Sequence, residues 1–185
     1  MLRDRQAFFR PRKNGCARII GMSGKSAATS SKCIGLEYFN RMPIPPNVRI
    51  AEPSVRFQLP EGRRGIFVGG GATVRVGRIL GPDRMREMML TGRSYGSEEG
   101  VQLGLAHYAV EEGKALPLAL KLARKIADNA PFSNYLMIQA LPRIGDMSRS
   151  DGLFTETLAA AMSQPSDGAK EGLRAFLEKR PPKFH

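Results

Sequence analysis

The chain contains 185 residues, of which 42% are hydrophobic and 25% charged, a composition typical of a globular protein with one domain. No apolar run approaches the roughly 20 residues that a membrane-spanning helix needs. With two cysteines and two histidines, the sequence predicts no disulfide framework and no metal site, so any acid–base chemistry falls to carboxylates.

Residues 1–46 form a basic segment that predicts a disordered leader. The segment shows neither helical nor strand periodicity, holds most of the formal net charge of +12, and ends in the prolines of MPIPP. Two other interpretations stay open, a polyanion-binding tail and a mitochondrial targeting segment. No secretory signal or peroxisomal tripeptide is evident, so the cytoplasm is the default compartment.

Strand and helix patterns begin at Asn47. Val48–Ala51 and Val55–Leu59 have strand character, and a turn separates them. Farther along, the patterns predict three elements: a helix from Pro82 that stops at Gly92, a short helix capped by Ser97, and a buried strand over Leu105–Val110 that contains a packed His107.

Four helices are predicted after Lys114. They are Ala115–Asn129, Pro131–Leu141, a helix capped by Ser150 that ends near Met162, and a helix capped by Ser166 that ends before Pro181. Their apolar stripes are Leu116, Leu120, Ala123 and Ala127; Phe154, Leu158 and Met162; and Ala169, Leu173, Phe176 and Leu177. This order of elements predicts an α/β layer to about residue 112, followed by a helical region over residues 113–185.

Glu61 is the residue best placed for acid–base chemistry. Pro60 favours extended backbone before it and Gly62 frees the chain after it, so the carboxylate ends a strand at a glycine-rich loop. The triple glycine Gly69–Gly71 in that loop also permits a phosphate-binding interpretation, although the Walker and dinucleotide patterns are absent.

Two environments of Glu61 stay open at this point. In one, apolar neighbours desolvate the carboxylate and raise its pKa towards neutral pH; these are Phe57, Leu59, Ile66, Phe67 and Val68. In the other, Glu61 is an exposed turn residue whose pKa is lowered by Arg63 and Arg64.

Two stretches of sequence resemble one known family. They resemble segments of the enoyl-CoA hydratase/isomerase (crotonase) superfamily. The stretches are FQLPEGRRGIFVGGGATVRVGRILGPDRMREMMLTGRSYGSEEGVQLGLAHYAV at residues 57–110 and FLEKRPPKF at residues 176–184. The resemblance covers residues 47–185. It implies part of a ββα spiral core with a C-terminal helical region, assembly into a trimer or hexamer, and a role in fatty acid metabolism.

The resemblance also implies particular residues and a substrate. Glu61 matches the family glutamate that moves a proton at the α-carbon of an acyl-CoA thioester, and the enolate formed there is stabilised by two backbone N–H groups. Phe176 and Lys179 match positions that reach coenzyme A, typically that of a neighbouring subunit. No separate cofactor is expected, because coenzyme A is part of the substrate.

The sequence departs from the family pattern upstream of residue 47. Counted back from Glu61, the family segment GGGxELA falls on EYFNRMPIPP, with Tyr38 at the oxyanion glycine and Arg41 at the second glutamate. A guanidinium cannot act as a base at neutral pH. The first strands of the spiral have no counterpart, so we expect a chain truncated or altered upstream, with impaired activity. The alternative is a non-catalytic relative that oligomerises through its C-terminal helices.

Overall fold

The computed structural model describes residues 16–19 and 47–184. The predicted leader therefore lies outside the described residues, except for the strand Cys16–Ile19. The described chain divides into two compact units, one that ends at Lys121 and one that begins at Leu122. In the ranges described, no helix combines the length and the apolar character that crossing a bilayer requires.

The first unit contains two small β-sheets. Strands β1 (Cys16–Ile19), β2 (Val48–Ala51) and β5 (Tyr108–Ala109) lie in the order β1-β2-β5, with β2 antiparallel to β1 and parallel to β5. Strand β3 (Phe57–Gln58) pairs antiparallel with β4 (Ser94–Tyr95). The predicted strand at β2 is confirmed, whereas the strand predicted around β3 is reduced to two residues.

Three helices share a core with these strands: α1 (Ala72–Leu80), α2 (Pro82–Thr91) and α3 (Ser97–Gln102). Helix α2 has its proline in the first turn and ends at Gly92 in the left-handed region with a φ of 69°, as predicted. The core side chains include Phe57, Leu59, Val68, Val76, Met88 and Tyr95. The α/β fold class is thus confirmed.

Helix α3 corrects one predicted cap. Ser97 is the first helical residue, and the N-cap is Gly96, whose backbone N–H donates to Oε2 of Glu99 at 3.2 Å. The carboxylate three residues into the helix therefore satisfies the cap position, so the Ser97 hydroxyl is not needed there.

The remaining helices are α4 (Ala115–Ala127), α5 (Pro131–Gln139), α6 (Leu141–Ile144), α7 (Arg149–Ser163) and α8 (Asp167–Leu177). The division between the two units lies within α4. In the second unit α5 contacts both α7 and α8. Ser166 caps α8 as predicted, accepting from the N–H of Ala169 at 3.2 Å, but α7 is capped by Ser148 and not by Ser150.

The predicted buried face of α4 is wrong. The helix buries Ala115 and Ala119, whereas Leu120 of the predicted stripe is exposed. The first turn explains this orientation, because the buried carboxylate of Glu52 accepts the backbone N–H of Ala115 at 2.8 Å. A carboxylate at a helix N-terminus satisfies a free N–H group and complements the helix dipole, so it fixes how α4 begins.

The second unit buries few of its side chains. Within residues 122–184, the buried ones are Ala130, Gly152 and Ala175. The apolar stripes of α7 and α8 are exposed, as Phe154, Leu158 and Met162 and as Leu173, Phe176 and Leu177. Exposed apolar faces of this extent are typical of surfaces that bind another molecule.

His107 is exposed, which corrects the packed histidine and the buried strand predicted around it. Only Tyr108 and Ala109 of that segment pair as a strand. The backbone N–H of Arg49 donates to Nδ1 of His107 at 3.0 Å, and the N–H of His107 donates to the Arg49 carbonyl at 2.8 Å. The neutral ring therefore carries its proton on Nε2.

The neutral His107 ring that accepts this hydrogen bond generates a prediction about stability in acid. Partial desolvation of the exposed His107 ring, and secondarily the charge of Arg49, lowers the pKa of His107 below its usual 6.5. Folding thus favours the neutral ring, so its contribution to stability is complete above pH 6.5 and is lost as the pH falls through the lowered pKa. We expect urea unfolding to show a loss of stability on acidification that is smaller in His107→Asn, whose amide oxygen accepts without titrating. Equal pH dependence in both proteins would contradict this.

Candidate active site around Glu61

Glu61 begins a single 3-10 turn, Glu61–Arg64, that follows the β3 segment. Gly65 ends this turn in the left-handed region with a φ of 67°, and its N–H bonds back to the carbonyls of Glu61 and Gly62. The N–H of Ile66 also donates to the Glu61 carbonyl, at 3.2 Å. Local hydrogen bonds therefore hold the backbone of this turn, and they fix the direction in which the Glu61 side chain leaves it.

The 3-10 turn is attached to the C-terminal end of α2 at two adjacent residues. Gly62 approaches the carbonyl of Met89 so closely that a Cβ on Gly62 would lie 2.5 Å from its oxygen. Next to it, Nη2 of Arg63 donates to the carbonyl of Thr91 at 2.9 Å, and its guanidinium lies over Gly92. A cation there binds the free carbonyls of a helix C-terminus and complements the dipole.

The Glu61 carboxylate is buried, with 1% of the residue exposed. Its Oε2 finds no hydrogen-bond donor among the described residues. Burial raises the pKa of Glu61, against smaller opposing effects of its own backbone N–H and of Arg64. The exposed-turn environment is thus wrong and the desolvated one is confirmed. A carboxylate in this state is a stronger base than a glutamate in water.

An open, largely apolar cavity of about 700 Å³ lies beside this turn. Gly62 connects the two, because it follows Glu61 in the chain and lines the cavity, while Glu61 itself is not a lining residue. Ile66 and Phe67, expected to cover the carboxylate, line the cavity instead and are exposed, Phe67 by 78%. The other lining residues come from α1, α2 and the residues next to them: Thr73, Val74, Gly77, Arg78, Pro82, Met85, Arg86, Met89 and Leu90.

The glycine loop Gly69–Gly71 leads directly into α1. The side chain of Arg75 folds back from the helix and donates to the Gly70 carbonyl, and it fills the space beside the α-carbon of Gly71. The position where a phosphate would meet the loop is thus occupied by a guanidinium of the same chain, and the loop offers no support for the phosphate-binding interpretation.

The other predicted site residues lie in the second unit or outside the described chain. Phe176, on α8, is 79% exposed, and Lys179, just after it, is exposed with a positive φ of 51°. Both are thus accessible to a ligand within their own unit. Tyr38 and Arg41 lie outside the described residues, so their predicted positions in the oxyanion segment stay predictions.

Comparison with known proteins identifies the family. The sequence profile of the enoyl-CoA hydratase/isomerase family matches residues 41–185. The chain is 37% identical over 142 residues to the mouse protein "Enoyl-CoA hydratase domain-containing protein 2, mitochondrial", covering 75% of this chain and 48% of that one. It is 32% identical over 138 residues to "Enoyl-CoA hydratase EchA19" of Mycobacterium tuberculosis, covering 75% and 52%.

Solved structures agree with these sequence matches. The crystal structure of an enoyl-CoA hydratase from Bacillus anthracis superimposes with a TM-score of 0.71 at 32% identity, covering 76% of this chain and 55% of that one. The protein therefore belongs to the enoyl-CoA hydratase/isomerase family, and the crotonase-like fold predicted for it is confirmed. The chain spans about half the length of these relatives.

The contact between Gly62 and Met89 generates a stability prediction. Gly62→Ala places a methyl group against the Met89 carbonyl, so we expect it to lower the free energy of unfolding by about 1–3 kcal/mol, measured in urea. Gly69→Ala is the matched control, because a Cβ there meets nothing within 4 Å. Equal stability of the two variants would show that the turn does not rest on α2.

Proposed function

We propose that this protein binds an acyl-CoA thioester and that Glu61 moves a proton at the carbon next to the thioester carbonyl. The observation that carries the proposal is a buried carboxylate, one oxygen of which meets no donor in the part of the chain that the structure describes, next to an apolar cavity. Such a group is costly for folding alone, since an unsatisfied buried acceptor loses its bonds to water. The relatives named above, which match about three quarters of this chain, bear the names of enoyl-CoA hydratases.

Isomerisation of a 3-enoyl-CoA is the reaction that one carboxylate can perform alone. The ionised Glu61 takes a proton from C2, and the electrons of the broken C–H bond delocalise into a dienolate. Glu61, now protonated, returns that proton to C4, so the double bond moves from C3–C4 to C2–C3. Because the same group is base and then acid, no second residue and no water are consumed.

Hydration makes a further demand that this sequence does not meet. Activation of the attacking water falls in the family to a second glutamate, and that position is Arg41 here. The family's oxyanion glycine falls on Tyr38, which keeps its backbone N–H but whose side chain takes the room that a thioester needs beside that group. An oxyanion donor that the thioester cannot reach typically costs roughly 100- to 1,000-fold in rate. We therefore propose slow isomerase activity and negligible hydratase activity for this chain.

The test is conversion of 3-enoyl-CoA by the wild type, by Glu61→Gln and by Glu52→Gln. We expect Glu61→Gln to lower the rate by at least about 100-fold, since the amide can neither accept nor return the proton. Glu52→Gln should keep the rate, because it is the matched buried glutamate and its amide oxygen still accepts from Ala115. In the wild type the rate should fall as the pH is lowered and Glu61 becomes protonated. This fall should occur at a higher pH than for an ordinary glutamate, because burial raises the pKa of Glu61.

Binding and chemistry are separated by calorimetry with a non-reactive saturated acyl-CoA. If the wild type binds the acyl-CoA but does not isomerise 3-enoyl-CoA, the proposed ligand stands and the proposed reaction is wrong. Equal isomerisation rates for the wild type and Glu61→Gln would remove Glu61 from the mechanism.

A second candidate function is self-association without catalysis. It is favoured by the exposed apolar residues on α7 and α8, which one copy of the second unit leaves in water. Burial of such side chains against another copy is worth about 25 cal/mol per Å² of apolar surface removed from water.

Sedimentation at several concentrations tests this surface. We expect the wild type to associate and the double variant Phe154→Gln, Leu158→Gln to shift towards monomers. Glu156→Gln on the same helix is the matched control and should associate like the wild type. A wild type that stays monomeric and folded at all concentrations would contradict the second function.

A further inference from the structure

The residues after α8 fold back onto that helix in a defined motif. The N–H of Lys179 donates to the Phe176 carbonyl at 3.2 Å, and the N–H of Arg180 donates to the Ala175 carbonyl at 3.0 Å. These nested hydrogen bonds form a Schellman motif, which requires the residue after the helical cap to adopt left-handed backbone angles. Lys179 occupies that position with a φ of 51°.

A lysine is an unusual occupant of this position. Glycine is preferred there because a Cβ crowds the following carbonyl in the left-handed conformation. Among the residues that the structure describes, Lys179 is the one non-glycine residue with a positive φ. Strained backbone of this kind is concentrated at functional sites, where surrounding contacts enforce it. Stability alone therefore does not explain the lysine.

Ionic contacts hold the backbone on both sides of Lys179. Arg180 forms a two-point ion pair with Glu171, from Nη1 to Oε1 at 2.6 Å and from Nη2 to Oε2 at 3.1 Å. Its Nε also bonds Oε2 of Glu178 at 2.5 Å, and the N–H of Lys183 donates to Oε1 of Glu171 at 2.8 Å. The Arg180 bond, followed by the Lys183 N–H, lowers the pKa of Glu171 to about 2, so the carboxylate stays ionised at any physiological pH.

We propose that the Glu171–Arg180 pair is a positioning device that holds Lys179, the residue that the family resemblance implies at coenzyme A, in its left-handed conformation. This rests on the proposed acyl-CoA function. Lys179 is exposed and has no ion pair with the described residues, whereas Lys170, on α8, pairs with Asp167 at 3.7 Å. An ammonium group is a suitable phosphate ligand, and the backbone conformation sets the direction in which its flexible side chain leaves the chain.

The experiment compares Glu171→Ala, Lys179→Gly and the double variant with the wild type. The probe is coenzyme A in calorimetry, together with thermal melting and the NMR couplings and shifts that report the φ of Lys179. We expect each single variant to weaken binding by about tenfold, and the double variant to bind no worse than either. Glu171→Ala should release the positive φ, and Lys179→Gly should melt no lower than the wild type. Lys170→Ala, the matched control, should keep the affinity.

The outcomes separate this proposal from the function on which it rests. If the wild type binds coenzyme A and Glu171→Ala binds it equally well, or if the losses add in the double variant, the positioning role is overturned and the proposed function stands. If the wild type binds no coenzyme A, the proposed function fails and the phosphate role of Lys179 fails with it. A positive φ retained in Glu171→Ala overturns the positioning role whatever the affinity.

Discussion

The buried carboxylate of Glu61 depends on the attachment of its turn to the C-terminal end of α2. Within the described ranges Oε2 has no donor, and a buried acceptor in that state favours any conformation that lets water reach it. Two contacts oppose that movement: Gly62 lies against the Met89 carbonyl, and Arg63 donates to Thr91. The chemistry proposed for Glu61 is therefore a consequence of helix packing, because a turn free of α2 would hydrate the carboxylate and lower its pKa again.

The apolar surfaces of the protein follow a similar logic in both units. In the first, Phe67 and Leu90 leave the core and line the cavity; in the second, Phe154 and Phe176 project from helices that bury almost nothing. Apolar side chains held in water on ordered elements offer free energy to any molecule that covers them. A cavity of about 700 Å³ has the size of a small-molecule site, whereas the faces of α7 and α8 are suited to a second protein surface.

Local signals made part of the structure predictable. Strand β2 and both ends of α2 are as predicted, because alternation, a first-turn proline and a terminal glycine act within a few residues. The strand around His107 and the buried face of α4 were wrong, because they depend on Arg49 and Glu52, each more than 50 residues away in the chain. For the same reason the sequence left two environments open for Glu61. The glycine at position 62 indicated a turn after Glu61, but its contact with the Met89 carbonyl could not be predicted without the fold.

The arginines next to Glu61 show why proximity in sequence misleads. Adjacent positive charges predict a lowered pKa, and Arg64 does act in that direction. Arg63, however, is engaged with the Thr91 carbonyl at the end of α2, where it stabilises the helix that keeps water away from the carboxylate. One arginine thus contributes, through packing, to the burial that raises the pKa. At Lys179 the relation is parallel, since Arg180 maintains through Glu171 a backbone conformation that lysine would not choose alone. The buried carboxylate of Glu61 and the left-handed backbone of Lys179 are both unfavourable by themselves. Each persists because a neighbouring arginine bonds to a group farther along the chain or back on the helix, Arg63 to the Thr91 carbonyl and Arg180 to Glu171.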